Sequence, residues 1–99
     1  MTINKIVEGD KMTLILEDRL DTTTAPQLEN ELKGSLCDIK ELILDLNQLD
    51  YISSAGLRVL LAAQKQMMKQ LGKMEIRNVN ETVMEVFEIT GFADMLTIE

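Results

Sequence analysis

The 99-residue sequence predicts a small α/β domain, a mixed β-sheet packed with helices in the order β-β-α-β-α-β-α-β. Three observations carry this expectation. "ELILDLNQLDYI" holds Leu42, Ile43, Leu44 and Leu46 in a run too dense for an exposed edge, as in a central strand. Two longer stretches repeat their apolar residues at helical spacing. Turn and cap residues fall between these segments, and the alternation of strands and helices implies right-handed crossovers and a mainly parallel sheet.

Taken in order, "TINKIVE" and "KMTLILED" flank "EGDK", whose Gly9-Asp10 is turn chemistry, so they form a β-hairpin. The second strand runs from Met12 to about Glu17. Thr24 with Gln27 fits a capping box and Pro26 sits in the tolerated first turn, so a helix follows. Its apolar face is Ala25, Leu28, Leu32 and Leu36, and Gly34 marks its fraying end. After the central strand, a second helix runs from Ser54 to Leu71 and stops at Gly72 as the C′ residue. Leu57, Leu60, Leu61, Gln64, Met68 and Leu71 form its stripe, with Arg58, Lys65, Lys69 and Gln70 off it. "KMEIRNV" is a short strand. Asn80 caps a third helix, "ETVMEVFEIT", which ends at Gly91 with Phe92 packing back, and "DMLTIE" closes the chain as a last strand.

Composition removes several function classes. The net charge is −7 and the ten Lys and Arg are scattered among Asp and Glu, so no basic patch exists to replace phosphate counterions. Aromatic residues make up 3%, which leaves no base-stacking platform. With no histidine, Ser-His-Asp triads, His-containing metal sites and the commonest general base are all absent, so an enzyme is not expected. Cys37 is single and has no metal-ligand spacing around it, and no cofactor or metal is expected. No apolar run approaches the ~20 residues of a membrane span and the N-terminus has no signal-peptide pattern, so the expected location is the cytoplasm.

The start of the second helix carries two serines in "LDYISSAGLRVLL". With Ser53 as N-cap, its hydroxyl accepts from an otherwise free backbone N–H, and Ile52 and Leu57 take the positions of a hydrophobic staple. Ser54 then falls at the first helical position, where capping does not use its hydroxyl. A phosphate there would sit at the positive end of the helix dipole, a gain of about 0.3–1 kcal/mol at an exposed site. Trapped against an apolar or acidic partner, the same dianion costs several kcal/mol. The residues thus allow a switch that spares the fold and weakens an interface, while a plain pair of helix-start serines has the same spacing.

"LEDRLDTTTAPQLENEL", "ELILDLNQLDYISSAGLRVLLAAQKQM" and "VFEITGFADML", in this order and spacing, resemble the STAS domain of bacterial anti-sigma factor antagonists over nearly the whole chain. The resemblance implies a single STAS domain over residues 1–99. The implied partner is an anti-sigma factor that is also a serine kinase. Binding it frees a sigma factor, phosphorylation ends the interaction, and a serine phosphatase restores it. Aligned on Gly56-Leu57, Ser54 is the implied phosphoacceptor and Ser53 the cap beside it. The implied partner-binding residues are Asp21, Thr22, Thr23, Ser53, Ser54, Ala55, Gly56 and Arg58. No nucleic acid or membrane partner is implied, and the free protein is expected to be a monomer.

The sequence departs from the family pattern in four places. Ser53 replaces a common Asp, Ala55 replaces a common Ser or Thr, and Asp18 stands where Gly is usual, so the turn there should be less strained. There is also no room for a substantial extra C-terminal helix. Asp21 reads equally as a turn or cap residue. An unphosphorylated STAS module or scaffold is the alternative function, supported by Ser53. Asp45 and Asp50 flank the end of the central strand superficially like a receiver's acceptor site, but the hairpin after the first strand leaves no acidic cluster to hold Mg²⁺.

Overall fold

In the computed structural model, which describes residues 1–99, β1 (Thr2–Glu8) and β2 (Lys11–Leu20) pair antiparallel across Gly9-Asp10. Gly9 supplies the positive φ, +63°, that this turn needs. After α1 (Ala25–Ser35), β3 (Glu41–Ile52) returns parallel to β2, and after α2 (Ser54–Lys69), β4 (Lys73–Arg77) lies parallel to β3. The sheet order is β1-β2-β3-β4, with α3 (Glu81–Thr90) following. This is the mixed α/β arrangement the alternation predicts, with β3 in its centre.

Register explains the core. Met12 pairs with Leu42 and Leu42 with Met74; Leu14 pairs with Leu44 and Leu44 with Ile76. Side chains alternate faces along a strand, so these rows point to one side, where Ala25, Leu28, Leu32, Leu57, Leu60, Ala63 and Met67 of α1 and α2 cover them. Ile43 points the other way between its register partners Thr13 and Glu75 and is still only 3% exposed. Val83 and Phe87 bring α3 into the same core. Its start is held by Asn80, whose Oδ1 accepts from the Val83 N–H (2.9 Å) while its Nδ2 donates to the Leu49 carbonyl (2.6 Å).

Several local expectations need correction. β2 continues to Leu20 through two register slips, at Ile15/Glu17 and Asp18/Arg19. The Thr24-Gln27 capping box does not form, because Thr24 lies in helical backbone (φ −101°, ψ −19°) and its hydroxyl donates to the Arg19 carbonyl instead (2.8 Å). Gln27 donates to the Met1 carbonyl at 3.0 Å. As Gly34 signals, α1 ends one residue later at Ser35, and Leu36 is a buried C-cap just beyond the helix.

α2 ends at Lys69, and its buried stripe is Gly56, Leu57, Val59, Leu60, Ala63 and Met67. Met68 and Leu71 are exposed, the latter by 92%. The terminus is a Schellman motif: the Leu71 N–H donates to the Met68 carbonyl (3.1 Å) and the Gly72 N–H to that of Met67 (2.8 Å). Leu71, not Gly72, therefore takes the left-handed φ of +60°. Gly72 is needed for space, since a Cβ there would lie 2.6 Å from the Lys40 carbonyl oxygen.

The final strand is reduced to one bridge, Ile98 to Ile76. Residues before it are drawn into a 3-10 turn at Phe92–Asp94, with Met95 and Leu96 N–H groups both donating to the Phe92 carbonyl at 3.0 Å. Leu96 is thereby buried, which leaves only three residues to reach β4. Gly91 terminates α3 at φ +81° and Phe92 is half-buried against the core.

Candidate functional site

The carboxyl ends of the parallel strands β2 and β3 meet the start of α2, the place where open α/β sheets bind their ligands. Two features bring α2 this close. The Ser53 N–H donates to the Leu20 carbonyl at 2.9 Å, tying the helix start to the end of β2. Gly56 is buried, and a Cβ there would stand 2.7 Å from Leu20 Cγ and 3.0 Å from Ile52 Cγ1. Of the expected partner-binding residues, Gly56 is thus placed inside, where it sets the depth of the helix.

Ser53 has the extended backbone of an N-cap (φ −102°, ψ 175°), and its carbonyl accepts from the Leu57 N–H at 3.0 Å. Ile52 and Leu57 are both buried, as the staple requires. The hydroxyl, however, makes no capping bond: Ser53 Oγ is buried without any hydrogen-bond partner. That corrects the expectation that this hydroxyl caps α2. Ser54, at the first helical position, is exposed. Ala55 is half-buried, and Arg58, one turn further along the helix, is exposed and free of ion pairs.

Next to the helix start lies the turn from β2 into α1. Asp21 organises it: Oδ1 accepts from the Thr23 hydroxyl (2.7 Å), the Thr23 N–H (3.0 Å) and the Thr24 N–H (3.2 Å). These bonds stabilise the carboxylate, the Thr23 hydroxyl most, and lower its pKa from an ordinary 3.8 to about 2. Desolvation opposes the shift and is outweighed. Thr22 and Thr23 are exposed on this turn. The structure thus brings Asp21, Thr22 and Thr23 beside Ser53 and Ser54 at one end of the sheet.

Asp18 overturns the expectation of a relaxed turn. Its φ is +75°, the left-handed conformation that a glycine accepts freely and that costs an L-residue roughly 1–2 kcal/mol. An Asp at this position therefore carries backbone strain that a glycine would not.

Two residues at this end were not among the expected site residues. Arg19 pairs in register with Tyr51, and its guanidinium lies 4.3 Å from the centroid of the Tyr51 ring. Neither has a motif of its own, and the register slips on both sides of Asp18 hide their pairing from a simple count along the strands. Asp45 accepts from the Asn47 N–H (3.0 Å) and Asp50 is exposed; no three His, Cys, Asp or Glu side chains gather near them or elsewhere.

Comparisons with known proteins agree with this geometry. The STAS domain family matches residues 2–99. A Bordetella bronchiseptica protein named "Putative anti-sigma factor antagonist BtrV" is 38% identical over 99 residues, 99% of this chain and 84% of its own. The anti-sigma-B factor antagonist of Bacillus subtilis is 30% identical, over 99% of this chain and 92% of its own. Among solved structures, SpoIIAA in its unphosphorylated form has a TM-score of 0.79 at 16% identity, covering 99% of this chain and 87% of its own. An anti-sigma factor antagonist from Mycobacterium paratuberculosis has a TM-score of 0.86 at 20% identity, covering 98% and 83%; at these identities both show the fold alone. With the family matched from end to end and its sheet and helices reproduced, the chain belongs to the STAS domain family, alongside members named anti-sigma factor antagonists.

Proposed function

We propose that this protein is an anti-sigma factor antagonist, which binds an anti-sigma factor and is switched off by phosphorylation of Ser54. The observation that carries this reading is an exposed Ser54 hydroxyl at the first position of a 16-residue helix whose first turn holds no acidic residue. The dipole of such a helix favours an added phosphate. The names of the relatives support the partner class, and the Ser54 position supports a serine kinase and a serine phosphatase as the enzymes that set the switch. The partner would cover Thr22, Thr23, Ser54 and Arg58, with Asp21, Ser53 and Ala55 half-buried beneath them. The protein acts as a monomer when free, in the cytoplasm where sigma factors work.

Phosphorylation ends binding because the dianion would have to be desolvated between the two surfaces, at a cost of several kcal/mol. The test is intact-mass and site mapping of the wild type and Ser54→Ala after incubation with ATP and the anti-sigma factor kinase of the same bacterium. One added phosphate at Ser54, absent in the variant, supports the switch. Binding by both proteins with no phosphate on either would favour the second reading, an unphosphorylated STAS module. The observation behind that reading is the uncapped Ser53 in place of the family's Asp.

A further inference from the structure

We infer that Arg19, stacked on Tyr51, forms a docking platform for a carboxylate-bearing segment of the protein partner, beside the Asp21–Thr23 turn. The inference rests on the anti-sigma factor reading above and adds the chemistry by which the partner is recognised.

Alternation along the strands fixes the direction of the pair. Leu20 and Ile52, the next residues in register, are both buried against the core, so Arg19 and Tyr51 point away from it. The register slip at Asp18/Arg19 and the left-handed backbone of Asp18 set this orientation, as bulges near functional sites do. The side chains are accessible: Arg19 is 60% and Tyr51 37% exposed. Tyr51 is the chain's one tyrosine, while Phe87 is fully buried and Phe92 half-buried. This makes Tyr51 the most accessible aromatic ring on the surface.

The guanidinium keeps its binding capacity. Stacking over a ring uses no N–H group. Only Nε is engaged within the chain, by Asp21 Oδ2 at 3.4 Å, well beyond the 2.7–2.9 Å of a strong charge-assisted bond. Asp21 directs its other oxygen to Thr23 and Thr24. Both Nη groups of Arg19 are therefore free to chelate a carboxylate in the bidentate manner, already oriented by the ring below. A pre-oriented cation flanked by an aromatic surface offers a specific site for an acidic side chain with apolar neighbours, which the rest of a surface of net charge −7 would repel. A polyanion such as nucleic acid would need further cations here, and Arg58 alone does not provide them. The contact from Arg19 Nε to Asp21 Oδ2 places the platform against the Asp21–Thr23 turn, the part of the expected binding surface that it touches.

The experiment is calorimetric titration of the purified anti-sigma factor kinase of the same bacterium with wild type and variants, with urea unfolding of each variant as a control. Arg19→Ala and Tyr51→Ser should each weaken binding at least about tenfold while unfolding midpoints stay in place. Arg19→Lys should weaken it comparably, because an ammonium offers neither the flat stack nor the fork. Tyr51→Phe, which keeps the ring, should bind within about twofold of wild type. Arg19→Glu should abolish binding, and one Asp or Glu to Arg substitution on the partner should restore it; a purely structural role would produce no such rescue. Wild-type affinity in Arg19→Ala or Arg19→Lys overturns the platform and leaves the anti-sigma factor reading standing. No binding by the wild type overturns both.

Discussion

Replacing Ser53 with alanine should leave the protein at least as stable as the wild type, against the usual result for an N-cap serine. That substitution normally costs about 0.5–2 kcal/mol, because it deletes a bond to a backbone N–H of the first turn. Here the bond does not exist: Ser53 has cap backbone, but its Oγ is buried and unpartnered. Nothing is lost on that side of the comparison. On the other side, a buried hydroxyl with no partner carries a desolvation penalty of roughly 1–3 kcal/mol, which alanine removes. The vacated space is that of one oxygen atom, so the cavity cost offsets only part of the relief.

The net expectation is a change between zero and about 1 kcal/mol in favour of Ser53→Ala. In a domain of this size, 1 kcal/mol corresponds to a rise of roughly 4–8 °C in the thermal midpoint. Urea unfolding of both proteins is the direct assay, with equal m-values required so that the midpoint shift reports stability alone. A loss of about 1 kcal/mol or more would refute the reasoning. It would mean that the hydroxyl turns in solution to accept from the first turn of α2, and that Ser53 replaces the family's Asp at no structural cost.

Gly56→Ala should destabilise: overpacking against Leu20 and Ile52 costs about 1–3 kcal/mol, of which the better helix propensity of alanine returns about 1. Circular dichroism during urea unfolding would measure it, and a neutral result would show that Leu20 yields freely. Leu71→Gly should stabilise by about 1 kcal/mol, since Leu71 holds a φ of +60° and is almost fully exposed; an unchanged thermal midpoint would argue against strain there. Asp21 has a depressed folded-state pKa, so its contribution is fully present above about 3.8 and is lost as pH falls toward 2. Asp21→Asn should flatten the stability-pH curve across that window, and an unchanged curve between pH 4 and 2 would refute the assignment.

The fold was legible in the sequence because its determinants are periodic. The apolar run of β3, the spacing of Leu28 and Leu32, and the Asn80 and Gly91 boundaries of α3 all act locally, and each element formed where they placed it. What escaped depends on contacts between distant segments. Gly72 looks like a conformational stop, yet Lys40, thirty-two positions earlier, decides its role by crowding it, and the left-handed position falls to Leu71. Met68 and Leu71 fit the helical stripe by count, but α2 rotates to seat Gly56 against β2 and β3, so the stripe follows Val59, Ala63 and Met67. The last strand has β-forming residues, but the 3-10 turn before it leaves too little chain to pair. Ser54 was singled out by the family resemblance and by its place at the first helical position, where it is exposed, although the capping bond expected of Ser53 does not form; Arg19 and Tyr51 could not be paired without knowing where β2 slips.

The same packing explains how a phosphate on Ser54 would leave the fold untouched. The backbone on both sides of Ser54 is fixed by interactions it does not share: Ser53 through its N–H to Leu20, and Gly56 through its close approach to Leu20 and Ile52. Ser54 itself faces solvent, so adding a dianion displaces no core atom. The helix dipole gains about 0.3–1 kcal/mol, and Arg58, four residues on, is placed to add a few tenths through an i,i+4 pair. A partner pressed onto the same surface faces the opposite balance, because it must strip water from the dianion at a cost of several kcal/mol. It would also have to compete with that phosphate for Arg58. A change small and favourable within the domain would thus be large and unfavourable across the interface, and that asymmetry would let one hydroxyl control binding without control over folding.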